Sequence, residues 1–144
     1  METADRTAVR AQQMLDAYRH ADVMAADCPS RPVLQHLTSR WGVLVMAALA
    51  TGTHRFAQLR RRIGGVSERM LAQTLQQLEG DGFVLRRDHG EVPPRVDYSL
   101  TPLGEGAAVH LVALAGWIEA NFPAIAEAQA AVSAPADRSV PASA

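Results

Sequence analysis

Gly64 and Gly65 interrupt an apolar pattern that is helical on both sides of them, and this interruption constrains the fold more than any other feature. Before the glycines, Phe56, Leu59 and Ile63 recur at spacings of three and four, which is one inward stripe on a short helix. After them Ser67 is a natural N-cap, and Leu71, Leu75 and Leu78 repeat the period along a second helix over residues 68–80. Two short helices joined by a tight glycine-containing turn form a helix-turn-helix. Beyond Gly80 and Gly82 the period changes. FVLRR and RVDYSL are short runs rich in Val, Leu, Phe and Tyr, separated by DHGEVPP, so a hairpin is expected. The fold class that follows is mainly α (α+β), a winged helix-turn-helix with a two-stranded β wing.

The flanks read as helices. Residues 4–26 contain no Gly or Pro and place Val9, Met14, Leu15 and Tyr18 at helical intervals, which predicts one amphipathic helix. The CPSRP run breaks it, and a new helix is expected from about Pro32. RWGVLVMAALA is apolar on most sides and should be the buried centre of the domain, and TGTH after it reads as a break. Thr101 and Pro102 read as N-cap and first residue of a last helix running toward Phe122, with Pro123 expected to kink or divide it. The organisation predicted is an N-terminal helix over 1–27, a DNA-binding domain over 28–103, a C-terminal dimerisation helix over 104–131 and a disordered tail over 132–144.

Of the 144 residues, 48% are hydrophobic and the formal net charge is only −1, but the charge is unevenly placed. From Arg40 to Arg95 nine arginines stand against five acids, while both flanks are acidic. Every basic side chain other than His is Arg, which suits bidentate contacts to phosphate or guanine, although a GC-rich genome produces the same bias. Cys28 is the sole cysteine, so no intrachain disulfide forms, and a cytoplasmic location is expected. The strongly apolar run Gly42–Ala50 is far shorter than the ~20 residues of a membrane helix, and the N-terminus lacks the pattern of a signal peptide, so no membrane association is expected. The five histidines are dispersed and read as incidental, with no metal site. No GxSxG context or catalytic carboxylate pair occurs, so neither an enzyme nor a cofactor is expected.

The leucine stripe fixes the outward arc of the second helix. At 100° per residue, Arg69, Gln73 and Gln76 face away from Leu71, Leu75 and Leu78, with Gln77 at the flank. Arg and Gln are base-reading side chains, pairing bidentately with guanine and adenine respectively. The preceding helix turns Arg61 outward with Arg62 and Gln58 beside it, Arg55 and Ser67 stand at the helix starts, and Arg86, Arg87 and Arg95 decorate the wing. All twelve are candidate DNA contacts. Trp41 and Trp117 are candidates for lining an effector pocket, although an indole at helical spacing is as readily a packing residue. Cys28 precedes a helix start near Arg31, a placement that favours the thiolate, while a lone Cys is also an ordinary small core residue.

These segments together resemble the HxlR-type winged helix-turn-helix regulators, a MarR-like group. The matching residues are Cys28 and Pro29, SRW at 39–41, RFAQLRRRIGGVSERMLAQTLQQLEGDGFVLRR at 55–87 and EVPPRVDYSLTPLG at 91–104, within about residues 28–122. The resemblance implies a cytoplasmic homodimer that binds a pseudo-palindromic double-stranded DNA operator, represses transcription and dimerises through flanking helices. It also implies a response to oxidants, electrophiles or a small-molecule effector, which bears on Cys28. Ser39 and Arg40 replace the Gly-Lys pair common before the Trp, and the N-terminal helix is longer than usual. Two rivals stay open: an effector-binding or protein-interaction module that keeps the winged helix without operator binding, and an enzyme built on the tryptophan region.

Overall fold

The computed structural model describes residues 2–17 and 22–134, with six helices and three strands among them. Helix α1 spans Glu2–Ala17, α2 Ser30–Thr38 and α3 Arg40–Leu49. A two-residue strand β1, His54–Arg55, leads into α4, Phe56–Arg62, and then α5, Glu68–Gly80. The wing strands are β2, Val84–Asp88, and β3, Val96–Leu100, and α6 runs from Pro102 to Ser133.

Local chemistry sets these boundaries. Ser39 caps α3 by accepting from the Gly42 amide at 3.1 Å, which satisfies an orphan donor of the first turn. Ser67 does the same for α5, accepting from the Met70 amide at 3.1 Å. Thr101 accepts from the Gly104 amide at 3.0 Å, and Pro102 starts α6 where no amide donor is needed. The turn between α4 and α5 places Gly65 at φ 85°, a conformation that side chains with a Cβ rarely adopt.

The core forms where these elements meet. Val45, Met46 and Leu49 of α3 meet Leu59 of α4 and Ile63 just after it, with Leu71, Leu75 and Leu78 of α5. Phe83, Val84, Tyr98, Ala108 and Leu111 close it from the sheet and the start of α6. The predicted inward stripes are therefore buried, although Phe56 is only half-buried and α3 leaves Leu44 exposed. Thr74 is an unanticipated fourth buried residue on α5, its hydroxyl donating to the Met70 carbonyl at 2.7 Å. Gly104 lies where α6 crosses the turn before β2, and a Cβ there would collide with the Phe83 carbonyl.

The sheet has the antiparallel order β1–β3–β2. Arg55 and Arg87 both stand opposite Asp97, while His54 and Arg86 stand opposite Tyr98. Because side chains alternate between faces, Tyr98 and Val84 turn to the core while Asp97 and its arginine partners occupy the other face.

Several expectations are corrected. The break at TGTH contains β1, so the sheet has three strands; two residues are too few to show a period, and their pairing partner lies more than 40 positions away. The helix expected over 4–26 is α1 as far as Ala17, and residues 23–27 form turns. There the Asp22 carboxylate accepts from the Met24 amide at 3.1 Å, a local side-chain bond that competes with helix. Tyr18, within the predicted stripe, lies outside the described residues. Helix α6 passes through Pro123 and ends at Ser133, beyond the start predicted for the disordered tail. Alanines at 124, 126, 128, 130 and 131 are the strongest helix formers and carry the helix past the lost amide. Residues 135–144 of that tail lie outside the described residues. By length and composition α6 is also apolar enough to cross a membrane, unlike the shorter run judged from sequence, because Glu105, His110, Glu119 and Glu127 break it only singly.

Candidate nucleic-acid interface

Helix α5 keeps its outward arc. Arg69, Gln73 and Gln76 are exposed, and their polar ends carry no hydrogen bond or ion pair among the described residues. Gln77 is half-buried at the flank. Ser67 is occupied by its capping bond, which places it at the helix start as scaffold.

The preceding helix is more committed. Gln58 accepts the Arg55 amide at 2.8 Å through its side-chain oxygen, a one-sided cap of α4, since the Arg55 guanidinium can only donate. Arg62 donates to the Thr51 hydroxyl at 2.7 Å and lies 3.0 Å from Nε2 of His54. A proton on Nδ1 of His54 satisfies both that contact and the 2.7 Å bond to the Gly52 carbonyl, leaving Nε2 as acceptor. Arg60 pairs with Glu68 at 2.8 Å across the turn. Arg61 stays exposed without an ion pair among the described residues.

On the wing the two arginines of β2 face opposite ways. Arg86 lies on the Tyr98 face, beside Gln76 and Glu79 of α5, and Arg87 on the Asp97 face. Asp97 was not singled out from the sequence, yet it gathers the surrounding cations. Its carboxylate accepts from His89 Nε2 at 2.7 Å and from Arg95 at 3.4 Å, with Arg55 Nε at 3.9 Å. The His89 hydrogen bond holds its pKa below the ordinary aspartate value, burial opposing this and the Arg95 charge adding to it. Arg95 is thus part of a cluster, not a free phosphate anchor as its sequence position suggested.

The histidines are also less incidental than their spacing implied. His36 of α2 bonds Asp81, the C-cap of α5, at 2.6 Å, tying the first helix of the domain to the end of the outward-facing one. No periodicity signals such pairs, because the partners are 45 residues apart for His36 and lie across a loop for His89.

This fold, a helix-turn-helix with a wing beside it, is matched by known proteins. The HxlR-like helix-turn-helix family model matches residues 36–126. The chain belongs to that family. The HxlR-type chain is 59% identical over 107 residues to the HTH-type transcriptional regulator YtfH of Escherichia coli strain K12, covering 74% of this chain and 85% of that one. A solved structure of the transcriptional regulator YtfH from Salmonella typhimurium superposes with TM-score 0.73 at 57% identity, covering 76% of this chain and 97% of that one. The redox regulator HypR in its reduced form superposes with TM-score 0.63 at 30% identity, covering 69% and 98%. The protein is therefore a winged-helix transcriptional regulator of HxlR type, and the relatives it matches are regulators.

Two further candidates take different positions in this HxlR-type regulator. Cys28 is a free thiol, 7% exposed, one residue before the Pro29 cap of α2. Trp41 is half-buried with Arg40 over its ring at 5.5 Å, and packs near Gly65, while Trp117 lies on α6 and is 58% exposed. Neither lines the apolar cavity of about 490 Å³ bounded by Ala50, Leu100, Ala108, Val109 and Val112 with Glu105 at its edge. The effector-pocket residues expected from the sequence are therefore not those around this cavity. Its walls combine Ala50 at the end of α3 and Leu100 of β3 with residues of α6, a grouping that no local sequence pattern signals.

Proposed function

We propose that this regulator binds a pseudo-palindromic operator as a homodimer in the cytoplasm and represses transcription. The observation that carries the reading is the outward arc of α5, where Arg69, Gln73 and Gln76 stay exposed and uncommitted while the apolar face of the same helix is buried. Base edges in the major groove are read by such groups, and the arginines of the wing supply the phosphate contacts. Dimerisation through α1 and α6 accounts for their exposed apolar side chains, among them Val9, Met14, Leu114, Trp117 and Phe122. The start of α6 packs on the soluble core through Ala108 and Leu111, which supports a partner helix rather than a bilayer as the cover for the remainder. A closed two-fold assembly sets the two α5 helices about one DNA turn, ~34–36 Å, apart.

Cys28 is the natural point of regulation in this reading, because oxidation or alkylation of a thiol packed at the start of α2 disturbs the helix that His36 ties to α5. The likeness to HypR, whose structure is known in reduced and oxidised forms, supports the same assignment. The test is selection of duplexes from a random pool with the purified protein, followed by affinity and mass measurements on the recovered duplex with and without oxidant. Enrichment of an inverted repeat bound by a dimer, with an oxidant response lost in Cys28→Ser, is expected. A monomer, or no enriched sequence, overturns the reading.

A further inference from the structure

The face of the wing away from the core carries a carboxylate where a DNA-binding surface would be expected to carry none. Asp97 stands at the centre of a cross-strand row, with Arg55 opposite it on β1 and Arg87 opposite it on β2. Arg95, two residues before it, shares the face, and His89 reaches the same carboxylate from the start of the wing loop. A negative charge here repels phosphate, so an account that counts charges alone makes Asp97 a liability.

Geometry gives it another role. Asp97 is only 15% exposed, whereas Arg55 and Arg95 keep 57% and 41% of their side chains exposed; it meets Arg55 at Nε and Arg95 at a terminal guanidinium nitrogen, while Arg95 Nε is buried without a partner, so both arginines keep exposed side chain beyond their contact with the carboxylate. The wing loop is closed from both directions around it: the His89 amide donates to the Arg95 carbonyl at 2.9 Å, and His89 Nε2 bonds Asp97 at 2.7 Å. A free arginine side chain carries about 2 kcal/mol of rotamer entropy, part of which is lost when it is fixed on a phosphate. Held beforehand, it surrenders less of that freedom on binding. The depressed pKa of Asp97 keeps the carboxylate ionised at neutral pH.

We propose that Asp97 is the positioning residue of the wing, fixing Arg55, Arg95 and the His89 loop as one pre-arranged phosphate-binding array. This rests on the DNA-binding reading above. The two accounts of Asp97 differ in sign. Removing a negative charge without losing position tightens binding, whereas losing position weakens it.

The experiment compares wild type, Asp97→Asn and Asp97→Glu on the duplex that the wild-type protein selects from a random pool, each across a salt titration. Asp97→Asn is expected to bind about tenfold more weakly, and its slope of log affinity against log salt to fall by roughly two per dimer, one phosphate contact for each wing. Asp97→Glu is expected to restore part of both, since it returns the charge on a longer arm. A variant that partly unfolds loses active fraction in a stoichiometric titration but keeps the wild-type slope, and that pattern overturns the proposal. So does equal or tighter binding by Asp97→Asn. A double-mutant cycle with Arg55→Gln gives an independent reading: the losses are expected to overlap, and full additivity contradicts the assignment. If the wild-type protein enriches no duplex, the DNA-binding reading itself has failed. If it enriches one that Asp97→Asn binds as well, only this inference has.

Discussion

Helix α5 and the wing carry the same kinds of polar side chain and treat them in opposite ways. On α5, Arg69, Gln73 and Gln76 are free, and the helix spends its internal bonds on the cap at Ser67, the Thr74 back-bond and the leucine stripe. On the wing, Arg55, Arg95 and His89 converge on one carboxylate, and Asp97 turns separate charges into a cluster. The difference teaches where rigidity is useful. A side chain that reads sequence is best mounted on a stiff backbone with its own end uncommitted. One that grips a repetitive phosphate chain gains from being placed in advance.

The largest expected effect removes the mount itself. Leu71→Ala empties a fully buried position of α5 and should lower unfolding free energy by about 2–5 kcal/mol, measured by thermal or denaturant unfolding. A loss under 1 kcal/mol would mean that α5 is not held by its apolar stripe. Next, Arg69→Ala or Gln73→Ala should cost about 1–3 kcal/mol on the selected duplex and much less on random DNA, because base contacts rather than charge are lost. An equal loss on both duplexes would erase the distinction between α5 and the wing.

Arg87→Ala tests the other side with a residue exposed on the Asp97 face and outside the ion pairs around that carboxylate. It should weaken specific and random duplexes alike and reduce the salt slope by about two per dimer. A loss confined to the selected duplex would make the wing a reader. The smallest effect is one of pH. Because the folded-state pKa of Asp97 lies below the ordinary 3.8, its stabilising contribution is fully present above that value and is lost as pH falls through the depressed one. Carboxyl titration by NMR should place Asp97 below the ordinary 3.8, and Asp97→Asn should flatten the acid limb of the stability profile. An Asp97 midpoint at or above 3.8 contradicts the cluster.

What could be read in advance follows the range of each interaction. The α5 stripe and the caps at Ser67 and Thr101 rest on neighbours within a few residues, and the hairpin on two adjacent runs either side of a turn-rich loop, so their signals lie in the local pattern. The outward arc of α5 follows from the stripe by rotation alone. Strand β1, the His36 bond to Asp81 and the role of Asp97 depend on residues brought together by the tertiary fold, which spacing along the chain does not encode. Gln58 and Arg62 show the converse: their positions mark them as candidate contacts, yet a local cap and a hydroxyl on a preceding turn engage them. Pro123 does not divide α6, since a single breaker is outweighed by a run of alanines.

The junction between β3 and α6 has a mechanical consequence. Leu100 ends the strand, Thr101 caps and Pro102 begins the helix, leaving no linker. The Thr101 amide donates to the Phe83 carbonyl at 3.0 Å and its hydroxyl to the Gly82 carbonyl at 2.6 Å, so the joint is pinned to the turn that leads into β2 as well. A helix of this length is a rod of roughly 48 Å at 1.5 Å per residue, and tilting it by ~5° sweeps its far end through about 4 Å. The wing sits at the fulcrum of that rod. A small rotation of the wing strands is thereby magnified at the distant tip, and a shift imposed at the tip returns to the wing as torque.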